Sequence, residues 1–120
     1  MNGVVDEYGR ALLTLKVHSI SNKQLFEITA WVDTAFNGEL VVPRALIESM
    51  ELVQSAGIRA RLADGNEVTL ESYSCVIHWF GDRKSVEVIA NNGELPLLAI
   101  GLLNLHRLVV DYKERNVTLA

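Results

Sequence analysis

The sequence predicts a small, mainly β domain, with sheets that close on themselves or approach a barrel. Three observations lead there. Apolar and β-branched residues recur with period two through most of the chain, as in half-buried strands. Polar turn signals such as "SNKQ", "ADGN" and "KERN" separate these runs at short spacing. Only one stretch carries helical spacing.

Taken in order, "ALLTLKVHSI" (11–20) and "LFEITAWVD" (25–33) read as two strands joined by "SNKQ", a hairpin that delivers the chain to Asp33. "PRALIESMEL" (43–52) reads as a helix of about two turns. Pro43 suits its first position, and Leu46, Ile47 and Met50 share one face. The segment 57–81 reads as one long hairpin. Ile58, Ala60 and Leu62 alternate with Arg59 and Arg61, "ADGN" turns the chain, and Val68 and Leu70 return. Tyr73, Cys75, Ile77 and Trp79 continue after a phase slip near Glu71 and Ser72, which predicts a bulge. "FGDRK" is a turn, "SVEVIA" (85–90) a strand and "NNGELP" a loop; "LVVDY" and "NVTLA" are closing strands around "KERN".

The 120 residues, without linker, repeat or low-complexity tract, predict a single domain over 1–120. Net charge is −4 and the basic residues are scattered, which argues against a nucleic-acid partner, whose phosphates require clustered cations. The N-terminal "MNGVVDEYGR" has no apolar signal core. The apolar run 95–105 is short and broken by Pro96 and Gly101, so no membrane partner is expected. A lone cysteine, Cys75, fits a reducing compartment, and the expectation is a cytoplasmic protein.

Residue chemistry narrows the function. His18, His78 and His106 lie far apart, with no ligand-spaced partner, so neither a metal nor another cofactor is expected. Cys75 sits in an apolar strand with His78 three residues on, pointing to the opposite face; it reads as a core thiol. Asp33 is the residue that asks for an explanation. It follows the apolar "AWV" and precedes "TAFNGELVVP", so a carboxylate is set in core-like sequence. It either caps an Asx-type turn or carries chemistry that justifies its desolvation.

The segment "VDTAFNGELVVP" resembles the active-site segment of retropepsin-like aspartic proteases, in particular their small single-domain bacterial members. That family's segment runs apolar-apolar-Asp-Thr/Ser-Gly, then a turn and an apolar strand. "RLADGNEVTL" stands where the family has its flap hairpin. "PLLAIGLLNLHRLVVDY" resembles its second motif, two apolar residues and a glycine before a short helix and a closing strand. The likeness spans roughly residues 11–119. Two positions depart from it. Ala35 replaces the glycine of the first motif. In the second, Leu97-Leu98-Ala99 again puts alanine for glycine, whereas a register on Ala99-Ile100-Gly101 keeps the glycine.

The resemblance implies a closed retropepsin-like barrel with one or two short helices and a two-fold homodimer, in which terminal strands such as "NVTLA" interleave. It implies an endopeptidase in which Asp33 meets its copy across the axis, Thr34 hydrogen-bonds across the interface and the Ala35 N–H serves the carboxylate. Val32 and Phe36 would line the cleft, and Ala63, Asp64 and Gly65 would form the flap tip over an extended peptide or protein substrate. The alternative is a module of the same fold that only binds extended peptides.

Overall fold

Period-two burial is the rule in the strands that build the core. The computed structural model describes the chain apart from residues 22, 56 and 62 and the side chains of residues 58 and 60. Its elements are β1 (Asn2–Val5), β2 (Ala11–His18), β3 (Leu25–Val32), β4 (Leu40–Pro43), α1 (Arg44–Met50), β5 (Val53–Gln54), β6 (Ile58–Arg61), β7 (Glu67–Leu70), β8 (Ser72–Trp79), β9 (Asp82–Asn91), β10 (Leu97–Leu98), α2 (Ile100–Leu103), β11 (Leu108–Asp111) and β12 (Asn116–Leu119). The mostly β architecture is thus the one the sequence predicts.

Ten strands form one sheet in the order β11-β12-β1-β2-β3-β10-β4-β9-β8-β5. Because β2 also pairs with β8, the strands β2, β3, β10, β4, β9 and β8 make a closed ring of hydrogen-bonded neighbours. Leu13, Leu15 and Val17 of β2 point into this ring with Ile28, Ala30, Cys75, Ile77 and Val88, each at most 5% exposed. Their burial is the main stabilising term, at about 1.5–3 kcal/mol for each large aliphatic side chain. Polar residues of β2, Thr14 and Lys16, alternate outward.

Strand β4 is different. It is buried at all four positions, because β10 covers one edge, β9 the other, and α1 packs on it. Helix α1 follows directly. Ile47 and Met50 are buried on its inner face, and Leu46 packs partly against the core. Pro43 stands one place earlier than expected: it ends β4 as the N-cap, with φ −58° and ψ 142°. The extended ψ lets the proline close a strand and open a helix at one residue.

The long hairpin expected over 57–81 is two hairpins. Strands β6 and β7 pair only with each other, Ile58 opposite Leu70 and Arg61 opposite Glu67. The chain then breaks at Glu71, and β8 pairs with β9 from Ser72–Ile89 to Trp79–Asp82. The phase slip read near Glu71 and Ser72 is this change of partner. Arg44 forms an ion pair with Glu71 at the ribbon's root, an exposed contact of small energetic weight. The inward alternation expected of Ile58, Ala60 and Leu62 lies outside the described residues. "FGDRK" is shorter than a five-residue turn. Phe80 and Gly81 alone turn the chain, with φ of 50° and 84°, the signature of a type I′ hairpin.

At the other end, β11 and β12 pair antiparallel as expected, Leu108 opposite Leu119 and Asp111 opposite Asn116. The Asp111 carboxylate accepts from the N–H groups of Lys113 and Glu114, closing the turn. Strand β1 was not legible in the acidic N-terminus. It pairs with β12 on one side and β2 on the other. Strand β12 is therefore paired on both edges within one chain. No helix among the described residues is long and apolar enough to cross a membrane.

Candidate active site

The two residues of β10 create the site. They insert between β3 and β4, with Leu97 and Leu98 parallel to Trp31 and Val32, and antiparallel to Val41 and Leu40. The chain from Asp33 to Glu39 must therefore loop around the end of β10 to reach β4. Backbone bonds fix this loop from below. The Asp33 N–H donates to the Leu98 carbonyl (2.8 Å). In return, the N–H groups of Ala99, Ile100 and Gly101 donate to the carbonyls of Glu39, Phe36 and Gly38 at 2.8–2.9 Å.

On this support Asp33 is half-buried, and its Oδ1 accepts the Ala35 N–H at 2.9 Å. This bond is an Asx-type turn and also the contact expected of Ala35, so both readings of the aspartate describe one geometry. A cleft of about 350 Å³ opens here, lined by Trp31, Val32, Asp33, Thr34 and Leu97. Asp33 is the one carboxylate among those lining residues. Thr34 and Ala35 are exposed. The site thus presents an accessible carboxylate with one oxygen held by a backbone donor, beside apolar walls.

The expected site residues fall into three groups. Val32, Asp33 and Thr34 share the cleft. Phe36 lies in a neighbouring hollow of about 260 Å³, with Asn37, Gly38, Glu39, Glu87, Ile89 and Arg59 of the β6–β7 ribbon. Ala63, Asp64 and Gly65 stand apart, exposed at the ribbon tip. There the Asp64 carboxylate accepts from both the N–H and the side-chain amide of Asn66, and Gly65 has a φ of 88°.

Trp31 and Leu97 were not among the expected site residues. Yet Trp31 precedes Asp33 by two, so strand periodicity already placed both on one side. Trp31 is 42% exposed, which corrects the impression that β3 ends in buried sequence. A third cluster, Arg10, Trp31, Asn91, Gly93, Glu94, Leu95 and Leu97, continues the cleft. The Arg10 guanidinium sits 5.7 Å from the Trp31 ring centre and pairs with Asp6 at 2.7 Å.

The two alanines are accommodated differently. Ala99 is fully buried as the residue before α2, following the Leu97-Leu98 strand. The backbone approach that demands glycine is at Gly101, where a methyl would stand 2.7 Å from the Gly38 carbonyl oxygen. Ala35 is on the surface.

Elsewhere, a hollow of about 660 Å³ lies against His18, Lys23, Val76 and Arg83, and shares no lining residue with the Asp33 cleft. His18 and His78 stack with their Nε2 atoms 2.5 Å apart. No group of three or more His, Cys, Asp or Glu among the described residues is placed to hold a metal ion. Cys75 is buried, and burial, with the Glu39 carboxylate, pushes its thiol up to about 12, which makes it a poor nucleophile.

The fold recurs in solved structures. The retropepsin-like aspartic protease from Rickettsia conorii matches 99% of this chain and 88% of its own, with a TM-score of 0.66 and 14% identity. The fold is retropepsin-like. The EIAV protease complexed with the inhibitor HBY-793 matches 82% of this chain and 88% of its own, at a TM-score of 0.55 and 15% identity. The foamy viral protease-reverse transcriptase in complex with an RNA/DNA hybrid matches 80% of this chain but 12% of its own, at 0.51 and 14%. No family model matches the chain, and no curated protein is significantly similar to it. At these identities the retropepsin-like likeness is one of fold.

Proposed function

We propose that this chain is an aspartic-type endopeptidase that acts as a two-fold homodimer. One observation carries the reading. In a fold shared with aspartic proteases, Asp33 alone lines its cleft as a carboxylate, with one oxygen held by the Ala35 N–H. Peptide hydrolysis of this class takes two carboxylates, and two-fold symmetry supplies the second from an identical chain. Two carboxylates a few ångströms apart disfavour double ionisation, so the pair holds one proton. The ionised member takes a proton from water as the water oxygen attacks the scissile carbonyl carbon. The protonated member hydrogen-bonds the carbonyl oxygen. The C–N bond then breaks as the amine leaves with a proton, and no covalent enzyme intermediate forms.

An extended peptide suits the cleft, with side chains alternating between Trp31, Leu97 and the Phe36 hollow, and the β6–β7 ribbon closing over it. Thr34 bonds across the axis. We place the activity in the cytoplasm, whose reducing poise suits a free buried thiol.

The test is cleavage of a mixed peptide pool across the acidic range, followed by mass spectrometry. The expected result is a bell-shaped profile, abolished by Asp33→Asn. Cleavage that persists in Asp33→Asn sinks the mechanism. Retained peptide binding without cleavage at any pH assigns the chain to the binding-module alternative.

A further inference from the structure

We propose that the hollow beside His18 binds an organic phosphate monoester, with the phosphate between Lys23 and Arg83 and the apolar body on Ile20 and Val76. The site is separate from the Asp33 cleft, so it stands or falls independently of the peptidase reading.

The sheet builds its floor. His18 of β2 lies opposite Val76 of β8, and Val76 lies opposite Ser85 of β9. Their strand neighbours Val17, Ile77 and Val86 are buried in the core, so this row faces outward. His78 and Arg83 form the next row on the same face, two residues along. The turn after β2 supplies the rim and is pinned by backbone. The Ser19 N–H donates to the Gln24 carbonyl at 3.1 Å, and the Lys23 N–H to the Ser19 carbonyl at 2.9 Å. Ser19 is 1% exposed, and its hydroxyl donates to the Glu51 carbonyl at 3.3 Å. The His18 ring is held in turn by its stack and hydrogen bond with His78.

Charge and surface specify the occupant. The chain carries a net charge of −4, yet no carboxylate lines this hollow. Lys23 and Arg83 do, and neither forms an ion pair among the described residues. A concave surface lined by one sign of charge concentrates the opposite ion. Two fixed cations match a phosphate monoester, which carries close to two negative charges at neutral pH, better than a carboxylate with one. The guanidinium can take two phosphate oxygens at once, the ammonium takes the third as a point charge, and the exposed Ser85 hydroxyl adds a donor. The ligand is more than the ion itself. Ile20, 50% exposed, and half-buried Val76 leave an apolar wall beside the cations, and a volume of about 660 Å³ is that of a small-molecule site.

The test is an NMR titration of the full chain with hexyl phosphate, read at the imidazole signals of His18 and the methyls of Val76. Saturable shifts at both are expected. Hexanoate, hexanol and inorganic phosphate, run alongside, should each bind at least about tenfold more weakly. Arg83→Gln and Lys23→Gln replace exposed side chains and should each weaken hexyl phosphate about tenfold; Ile20→Ser should bring its affinity toward that of inorganic phosphate. Absence of saturable shifts at His18 overturns the site. So does equal binding of hexanoate or hexanol, which removes the dianion, or of inorganic phosphate, which removes the apolar seat. Unchanged affinity in Arg83→Gln or Lys23→Gln overturns it as well.

Discussion

Replacing Gly101 by alanine sets two effects against each other, and the structure decides which wins. Helix propensity alone favours alanine, by roughly 0.5–1 kcal/mol. The added methyl, however, would stand 2.7 Å from the Gly38 carbonyl oxygen, 3.1 Å from its carbon and 3.0 Å from Glu39 Cγ. The side chain of Glu39 can move aside only by disturbing the 3.0 Å bond its Oε1 accepts from the Glu87 N–H. The carbonyl cannot move without weakening the 2.8 Å bond it accepts from the Gly101 N–H. Overpacking of this kind costs about 1–3 kcal/mol, and a weakened hydrogen bond adds up to about 1 kcal/mol. The net expectation is a loss of about 1–3 kcal/mol. At this chain length each kcal/mol corresponds to roughly 3–6 °C in Tm. Denaturant and thermal unfolding of Gly101→Ala measure it directly. Cleavage should fall as well, because the displaced carbonyl belongs to the loop that carries Asp33. Ala99→Gly is the comparison: it deletes one buried methyl, at a cost of about 0.8 kcal/mol. A Gly101→Ala protein as stable as the wild type, or more so, would show that the contact between α2 and the Asp33 loop is loose, and the account of the site's support would fail with it.

The Cys75 thiol, held up to about 12 by burial and by Glu39, keeps its proton in the folded state while the unfolded chain loses it near 9.0. Stability should therefore fall as pH rises through that window, by about 1.4 kcal/mol per unit at most, and Cys75→Ala should remove that part of the slope in alkaline unfolding curves. His18 is held below the usual histidine value of 6.5 by desolvation, then by Arg83 and His78. Its contribution to stability is present above 6.5 and is lost as pH falls through its own midpoint; in an NMR titration, Arg83→Gln should raise that midpoint. At the ribbon tip, Gly65→Val meets no neighbour within 4 Å but forces a β-branched residue to a φ of 88°. It should reduce peptide cleavage and cost about 1–3 kcal/mol through backbone strain at the tip; unchanged cleavage would argue against a flap role.

Strands whose partners are near in sequence were legible. β2 with β3, and β11 with β12, announce themselves by alternation and a turn between, because each register is set locally. The ribbon β6–β7 was legible for the same reason, although its separation from β8 was not. The break at Glu71 exists because β9 competes for the return arm, and no local rule weighs that competition. Strand β1 was missed because "NGVV" becomes a strand only when β12, from the far end of the chain, lies beside it. Likewise "PLLAIG" does not declare that Leu97 and Leu98 are extended while Ile100 begins a helix. Asp33 was readable as an anomaly, a carboxylate in apolar sequence. Its neighbours Trp31 and Leu97 needed the sheet. The glycine question was open in the sequence because two registers fitted; the approach of Gly38 to Gly101 gives it a steric answer.

The insertion of β10 has a temporal consequence. Asp33 takes its backbone bond from Leu98, a residue beyond three-quarters of the chain's length. Contacts so distant in sequence form late, after loop-closure entropy has been overcome. During synthesis the hairpin of β2 and β3 can assemble early, with the aspartate hanging at its end and nothing to hold the following turn. Leu98 and the three N–H donors after it emerge some 65 residues after Asp33, just ahead of β11. A chain that stops short of Leu98 therefore carries the aspartate but not its geometry. Synthesis of the segment from Leu98 to Gly101 is in this sense the step that fixes the geometry of the carboxylate.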